Sequence, residues 1–151
     1  MSSGERLGQQ RSFTIQQVAK LAGLSEHTLR YYEKIGLIDP VERDDSSGHR
    51  RYDADSLARV ESLARLRAVG LGIEEMRVLM HSRGHDQETV AAKISLLTAQ
   101  RGKIAHEIKS LQARKRFLEN RIAYWEATLH GDHAAAGRLN AEGDALSESL
   151  D

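Results

Sequence analysis

The segment "SEHTLRYYEKIGLI", Ser25–Ile38, sets Arg30, Tyr31 and Tyr32 on one turn of what reads as a short helix. A guanidinium in such a place reaches phosphate oxygens or the edge of a guanine, and a tyrosine hydroxyl bonds phosphate oxygens, so these residue types suit the surface of a nucleic-acid duplex. A second cationic group, "GHRRY", places His49, Arg50 and Arg51 beside Tyr52 just after a glycine turn, from which a hairpin can grip a phosphate backbone. The same residues have plainer readings. Leu29 and part of Tyr32 must face a neighbouring helix, Glu26 and Arg30 can form a surface pair worth on the order of tenths of a kcal/mol, and a basic run is usually a solvated face.

The elements that must position these side chains are legible around them. Thr14 followed by Gln17 matches a capping box, which predicts a first helix from about Ile15 to Ala22 that buries Val18 and Leu21 and stops at Gly23. Ser25 is a strong N-cap for a second helix, about Glu26 to Ile35, and Gly36 supplies the left-handed residue that ends it. Two short helices around a tight glycine turn are the helix-turn-helix signature. After Pro40, the run "ERDDSSGHRRY" is turn chemistry between two short strands, near Val41–Arg43 and Arg50–Tyr52, which makes a two-stranded wing. Asp53 caps a third helix reaching about Val69, with Leu57, Val60, Leu63, Ala64 and Leu66 on one face, and Gly70–Gly72 turn the chain into a fourth, Ile73–Met80. "HSRGHD" is a linker.

From Val90 the pattern changes. Apolar residues recur at alternating spacings of four and three: Val90, Ile94, Leu97, Ile104, Ile108, Leu111, Leu118, Ile122, Trp125 and Leu129. Arg101 and Lys115 fill the two remaining seam positions, and an unbroken 3.5 period over more than five heptads means a dimerising coiled coil about 60 Å long. Gly102 is its weak point, at about 1 kcal/mol relative to alanine. A parallel in-register pair would set Arg101 against Arg101 and Lys115 against Lys115. An antiparallel pair with its two-fold axis between Ile108 and Leu111 sets Arg101 beside Leu118 and Lys115 beside Ile104, where each cation can snorkel outward, so an antiparallel homodimer is expected.

Composition narrows the field further. The 151 residues carry 22 Lys and Arg against 22 Asp and Glu, so any affinity for nucleic acid must come from local clustering rather than net charge. There is no cysteine, which excludes disulfides, thiolate metal sites and thiol redox sensing. The start "MSSGERLGQQRS" has no apolar signal region and no run approaches a spanning helix, so the reading is a cytoplasmic protein with no membrane partner. The domain plan is a flexible arm over 1–11, a DNA-binding head over 12–83, a coiled-coil helix over 84–130 and an acidic tail over 131–151. The tail reads as mostly flexible, with a marginal helix over "AAAGRLNAEGDAL" or an effector-related role as alternatives.

Taken together, "TIQQVAKLAGLSEHTLRYYEKIGLIDPVERDDSSGHRRYDADSLARV", then "LRAVGLGIEEMRVLM" and the coiled coil, resemble the MerR family of bacterial transcription regulators from about Phe13 to Leu129. The resemblance implies a mainly α fold, a winged helix-turn-helix with a second helical pair, and a homodimer joined by an antiparallel coiled coil. It also implies a palindromic double-stranded promoter site whose DNA is bent and untwisted so that its elements align for RNA polymerase. Residue by residue, it places Thr14 at the DNA-facing start of the first helix, His27, Thr28, Arg30 and Tyr31 on the recognition helix, and Arg43, Arg50 and Tyr52 at the wing; Ser25, Tyr32, His49 and Arg51 beside them complete the DNA-binding candidates. The family usually has tyrosine where this chain has His49, so no aromatic contact is carried to that position.

Many relatives sense thiophilic metals or oxidants through cysteines, so any effector here must act without them. His130, Asp132 and His133, or His81 and His85, have ligand types, but solvated histidines are the default and neither a metal nor a cofactor is expected. Tyr124 beside Trp125 is the candidate wall for an organic effector, with helix-end packing as the alternative. No nucleophile, phosphate-cradling loop or paired carboxylates suggest an enzyme. Two rival readings stay open: an effector-independent architectural DNA-binding protein, and a coiled-coil adaptor that carries the head for other purposes.

Overall fold

A computed structural model describes residues 12–150; the arm expected over 1–11 lies outside the described residues. The chain divides into two compact units, one up to Leu96 and one from Leu97. In the first, helix α1 spans Ile15–Ala22, α2 Glu26–Lys34, strand β1 Glu42–Arg43, β2 Arg50–Arg51, α3 Ala54–Ala68 and α4 Ile73–His81. Helix α5, Gln87–Leu129, runs from the first unit into the second, and α6 covers His133–Ser147.

Local chemistry sets the ends of the head's helices. Thr14 and Gln17 form the full capping box on α1, and Gly23 ends it with φ 68°. Ser25 Oγ accepts from Thr28 N at the start of α2, and Asp53 accepts from Ser56 N at the start of α3. Strands β1 and β2 pair antiparallel, with Glu42 opposite Arg51 and Arg43 opposite Arg50. Phe13 and Tyr52 exchange both backbone hydrogen bonds, at 2.6 and 2.9 Å, which ties the wing's end to the residue before α1.

The head's core gathers Phe13, Val18, Leu29, Tyr32, Leu37, Tyr52, Val60, Leu63 and Met76, with α1 packed on α2 and α3 and α3 packed on α4. Burial of side chains this size stabilises by about 1.5–3 kcal/mol each. Leu21, expected in the core, is 39% exposed, and Ala19 is buried instead. The helix turns 100° per residue, and Ala19 lies beside Val18 on the buried arc while Leu21 sits at its edge.

The second unit departs from the expected flexible tail. Gly131 (φ 70°) closes the end of α5, Asp132 N donates to Ala127 O, and Asp132 Oδ1 accepts from Ala135 N to cap α6. Ala136 and Gly143 of α6 are buried, as are Ala113 and Asn120 of α5. The reason is close approach: a Cβ on Gly143 would collide with the Arg121 guanidinium and lie 2.7 Å from Asn120 Oδ1. No helix among the described residues is long and apolar enough to cross a membrane.

Candidate nucleic-acid interface

Helix α2 separates its side chains by face. Leu29 and Tyr32 point into the core, while His27, Arg30 and Tyr31 are exposed and Thr28 is half-buried with its hydroxyl 2.8 Å from Ser25 Oγ. Tyr31 is 44% exposed, with its ring centroid 6.2 Å from that of Tyr32. Arg30 pairs with Glu26 at 3.1 Å, one turn away. Such a pair on an exposed face is weak enough to yield to a phosphate.

The wing is brought alongside. Thr14, Ile15 and Gln16 from the start of α1, Glu26 and Arg30 from α2, and Ser47, His49, Arg50 and Arg51 from the wing line one shallow hollow. Its three guanidinium groups each face a carboxylate in the free protein, Arg30 with Glu26, Arg50 with Glu33 and Arg51 with Asp44, and the exposed pairs of Arg30 and Arg51 are the ones a phosphate can open. Arg43 Nη1 donates to Gly48 O at 3.2 Å and so braces the wing turn.

Two assigned contacts need correction. Tyr52 is 1% exposed and Tyr32 5%, so both rings belong to the core and neither is offered to a duplex. Burial, then the nearby Glu33 carboxylate, pushes the Tyr52 phenol above its ordinary pKa. The cause is strand alternation: in β2 Arg51 faces out, and the next residue must face in. Arg50, expected as a phosphate contact, bonds Glu33 Oε2 through Nε at 2.6 Å.

Three residues with positioning roles were not singled out. Glu33 holds Arg50. Arg77 of α4 donates to Ile35 O at 3.1 Å and so satisfies a carbonyl at the end of α2. Asp44 accepts from the amides of Ser46 and Ser47 and from the Ser46 hydroxyl, with Arg51 Nε 3.7 Å away. These bonds, the Ser46 hydroxyl first, hold its carboxyl down at a pKa of about 2. An aspartate two residues before a serine in a turn is an Asx-turn signal that "RDDSSG" displays; the Glu33 and Arg77 contacts are long-range and leave no local mark.

Along α5, every apolar seam residue from Val90 to Leu129 is exposed, from 37% at Ile104 to 82% at Leu129. Tyr124 and Trp125 meet edge to face at 5.0 Å, but they serve different faces. Arg121 covers the Tyr124 ring at 5.0 Å, whereas Trp125 joins Leu118, Ile122 and Leu129 on the open strip. Asp132 is engaged as a helix cap, and His130 Nδ1 lies 2.7 Å from Glu126 O. Among the described residues no three His, Cys, Asp or Glu side chains gather as a metal site.

Residues 13–83 match the model of the MerR HTH family regulatory protein. The chain is 40% identical over 90 residues to the HTH-type transcriptional regulator AdhR of Bacillus subtilis, covering 60% of this chain and 64% of that one. It is 34% identical over 94 residues to the HTH-type transcriptional activator TipA of Streptomyces coelicolor, covering 62% and 37%. It thus spans less than two thirds of either relative. The solved structure of HiNmlR, a MerR family regulator lacking the sensor domain and bound to promoter DNA, superposes with a TM-score of 0.63 at 25% identity, over 85% of this chain and 96% of that one. With a winged helix-turn-helix head, a second helical pair and a long following helix, the chain is similar to the MerR family regulators, over residues 13–83 by the family model and over 85% of its length in the HiNmlR superposition.

Proposed function

We propose that the chain is a transcription regulator that binds a palindromic promoter site as a homodimer and distorts the duplex to control RNA polymerase. The observation that carries this is the arginine-lined hollow where the start of α1, the outer face of α2 and the wing converge. A helix face with Arg30 and Tyr31 suits the major groove, and Arg43, His49 and Arg51 on the wing suit the flanking phosphates. The HiNmlR structure, bound to promoter DNA, supports the same use of this head. The exposed apolar strip on α5 supports the dimer, because ten exposed apolar residues along one helix face mark an interaction face. An antiparallel partner would cover it while keeping Arg101 and Lys115 from their own copies. An organic effector at Tyr124 would have to displace Arg121 from its ring.

The test begins with selection of duplexes from a random-sequence library by the protein. An enriched palindrome, with affinity that falls steeply as salt rises and fluorescent end labels that draw closer on binding, is the expected result. Arg30→Ala should weaken binding to that duplex by about 1–3 kcal/mol and relax the preference at one base position. Binding without sequence enrichment or without a change in end-to-end distance would contradict promoter distortion.

A further inference from the structure

The Glu33–Arg50 pair joins the recognition helix to the wing, the two elements on which the proposed DNA-binding face depends. Glu33 is on α2 and Arg50 on β2, and their side chains are only 16% and 22% exposed. The other arginine pairs among the head's described residues are more open: Arg51–Asp44 at 42% and 28%, Arg30–Glu26 at 50% and 34%, Arg77–Glu74 at 34% and 83%, Arg59–Asp39 at 52% and 58%, Arg65–Glu61 at 74% and 37%. Exposed pairs contribute little to structure, whereas an enclosed, short, charge-assisted bond holds both groups in one geometry. Within the hairpin, the bonds run between strands, from Gly48 to Asp44, and from the turn amides to the Asp44 carboxylate. The Glu33–Arg50 bond instead crosses from the hairpin to the recognition helix.

A carboxylate 2.6 Å from a guanidinium neutralises it and repels any phosphate that approaches. If charge alone governed affinity, Glu33 would weaken DNA binding and its removal would strengthen it. We infer that Glu33 and Arg50 are positioning residues that fix the wing's angle to the recognition helix, so that their pairing, rather than Arg50's charge, is what duplex binding requires. The inference rests on the DNA-binding reading above. It reverses the ordinary expectation for a negative charge beside a nucleic-acid surface. Arg77, bonded to Ile35 O, braces the end of the same helix.

The test compares wild type, Glu33→Gln, Arg50→Gln and the double variant in the full chain, on the duplex enriched by the wild type, across a salt series. Thermal melting accompanies each to show that the head is folded. Glu33→Gln, although it removes a negative charge, should weaken binding about tenfold, the scale of one lost charge-assisted hydrogen bond. Arg50→Gln should weaken it equally, and the double variant no further, since both singles break the same contact. Glu33→Asp keeps the charge and shortens the side chain by one methylene. It should also weaken binding, and it serves where the glutamine variant melts early. Tighter or unchanged binding by Glu33→Gln, with a salt slope that falls by about 0.9 in Arg50→Gln alone, would show Arg50 to be a direct phosphate contact and overturn this inference while leaving the DNA-binding reading intact. Failure of the wild type to enrich any duplex would overturn both.

Discussion

Asp44 shows how much a wing of two-residue strands depends on side chains. Its carboxylate accepts three donors from Ser46 and Ser47, which supplies the turn with bonds that the short strands cannot. Because its folded pKa, about 2, lies below the ordinary 3.8, its contribution is complete above about pH 4 and is lost as pH falls through 2. Carboxyl carbon shifts followed by NMR should therefore give an Asp44 midpoint near 2. A midpoint near the ordinary value would mean that the turn is not held this way. At this scale the sequence was informative wherever a role is local: the Thr14 and Ser25 caps and the exposure of Arg30 and Tyr31 follow from spacing within one helix. It was silent on Glu33, whose partner lies 17 residues away on another element. It overstated Tyr52, because a motif position gives a residue's name and only the strand's alternation gives its face.

Among the elements, the head followed its caps and glycines to within a residue or two, with α3 beginning after Asp53 and α4 after Gly72. Helix α6 was the element underestimated. It has five alanines, two glycines and few large apolar groups, so its hydrophobicity argues for little packing, yet Gly143 and Ala136 are small for the sake of contact. A second stripe on α5 meets it. Ala113, Phe117, Asn120 and Tyr124 recur at spacings of four and three beside the stronger seam, which masked them. Arg121 is the centre of that contact, with Nη2 2.9 Å from Leu139 O and 2.6 Å from Asn120 Oδ1 and its guanidinium carbon 5.8 Å from the Phe117 ring centre. Arg121→Ala should release α6, seen as faster proteolytic cleavage after Arg138 while α5 keeps its helical signal. Unchanged cleavage would mean that small-residue packing alone holds the helix. Truncation of a half-buried side chain that makes several charge-assisted bonds should cost about 1–3 kcal/mol of local stability.

For the whole molecule, the account turns on the seam of α5, left open in the single chain over ten apolar residues. Its 3.5 period was plain in the sequence, and so were the two cations whose placement favours an antiparallel partner. The absence of cysteine makes a direct test simple, because one introduced thiol is labelled alone. A spin label on Ile94→Cys, measured by pulsed dipolar spectroscopy with the protein bound to its enriched duplex, reports pairing and orientation together. With the two-fold axis between Ile108 and Leu111, the two labels should lie roughly 45 Å apart at about 1.5 Å of helix rise per residue. A separation of about 10 Å, the spacing of helices side by side, or no dipolar coupling in the complex, would contradict the account.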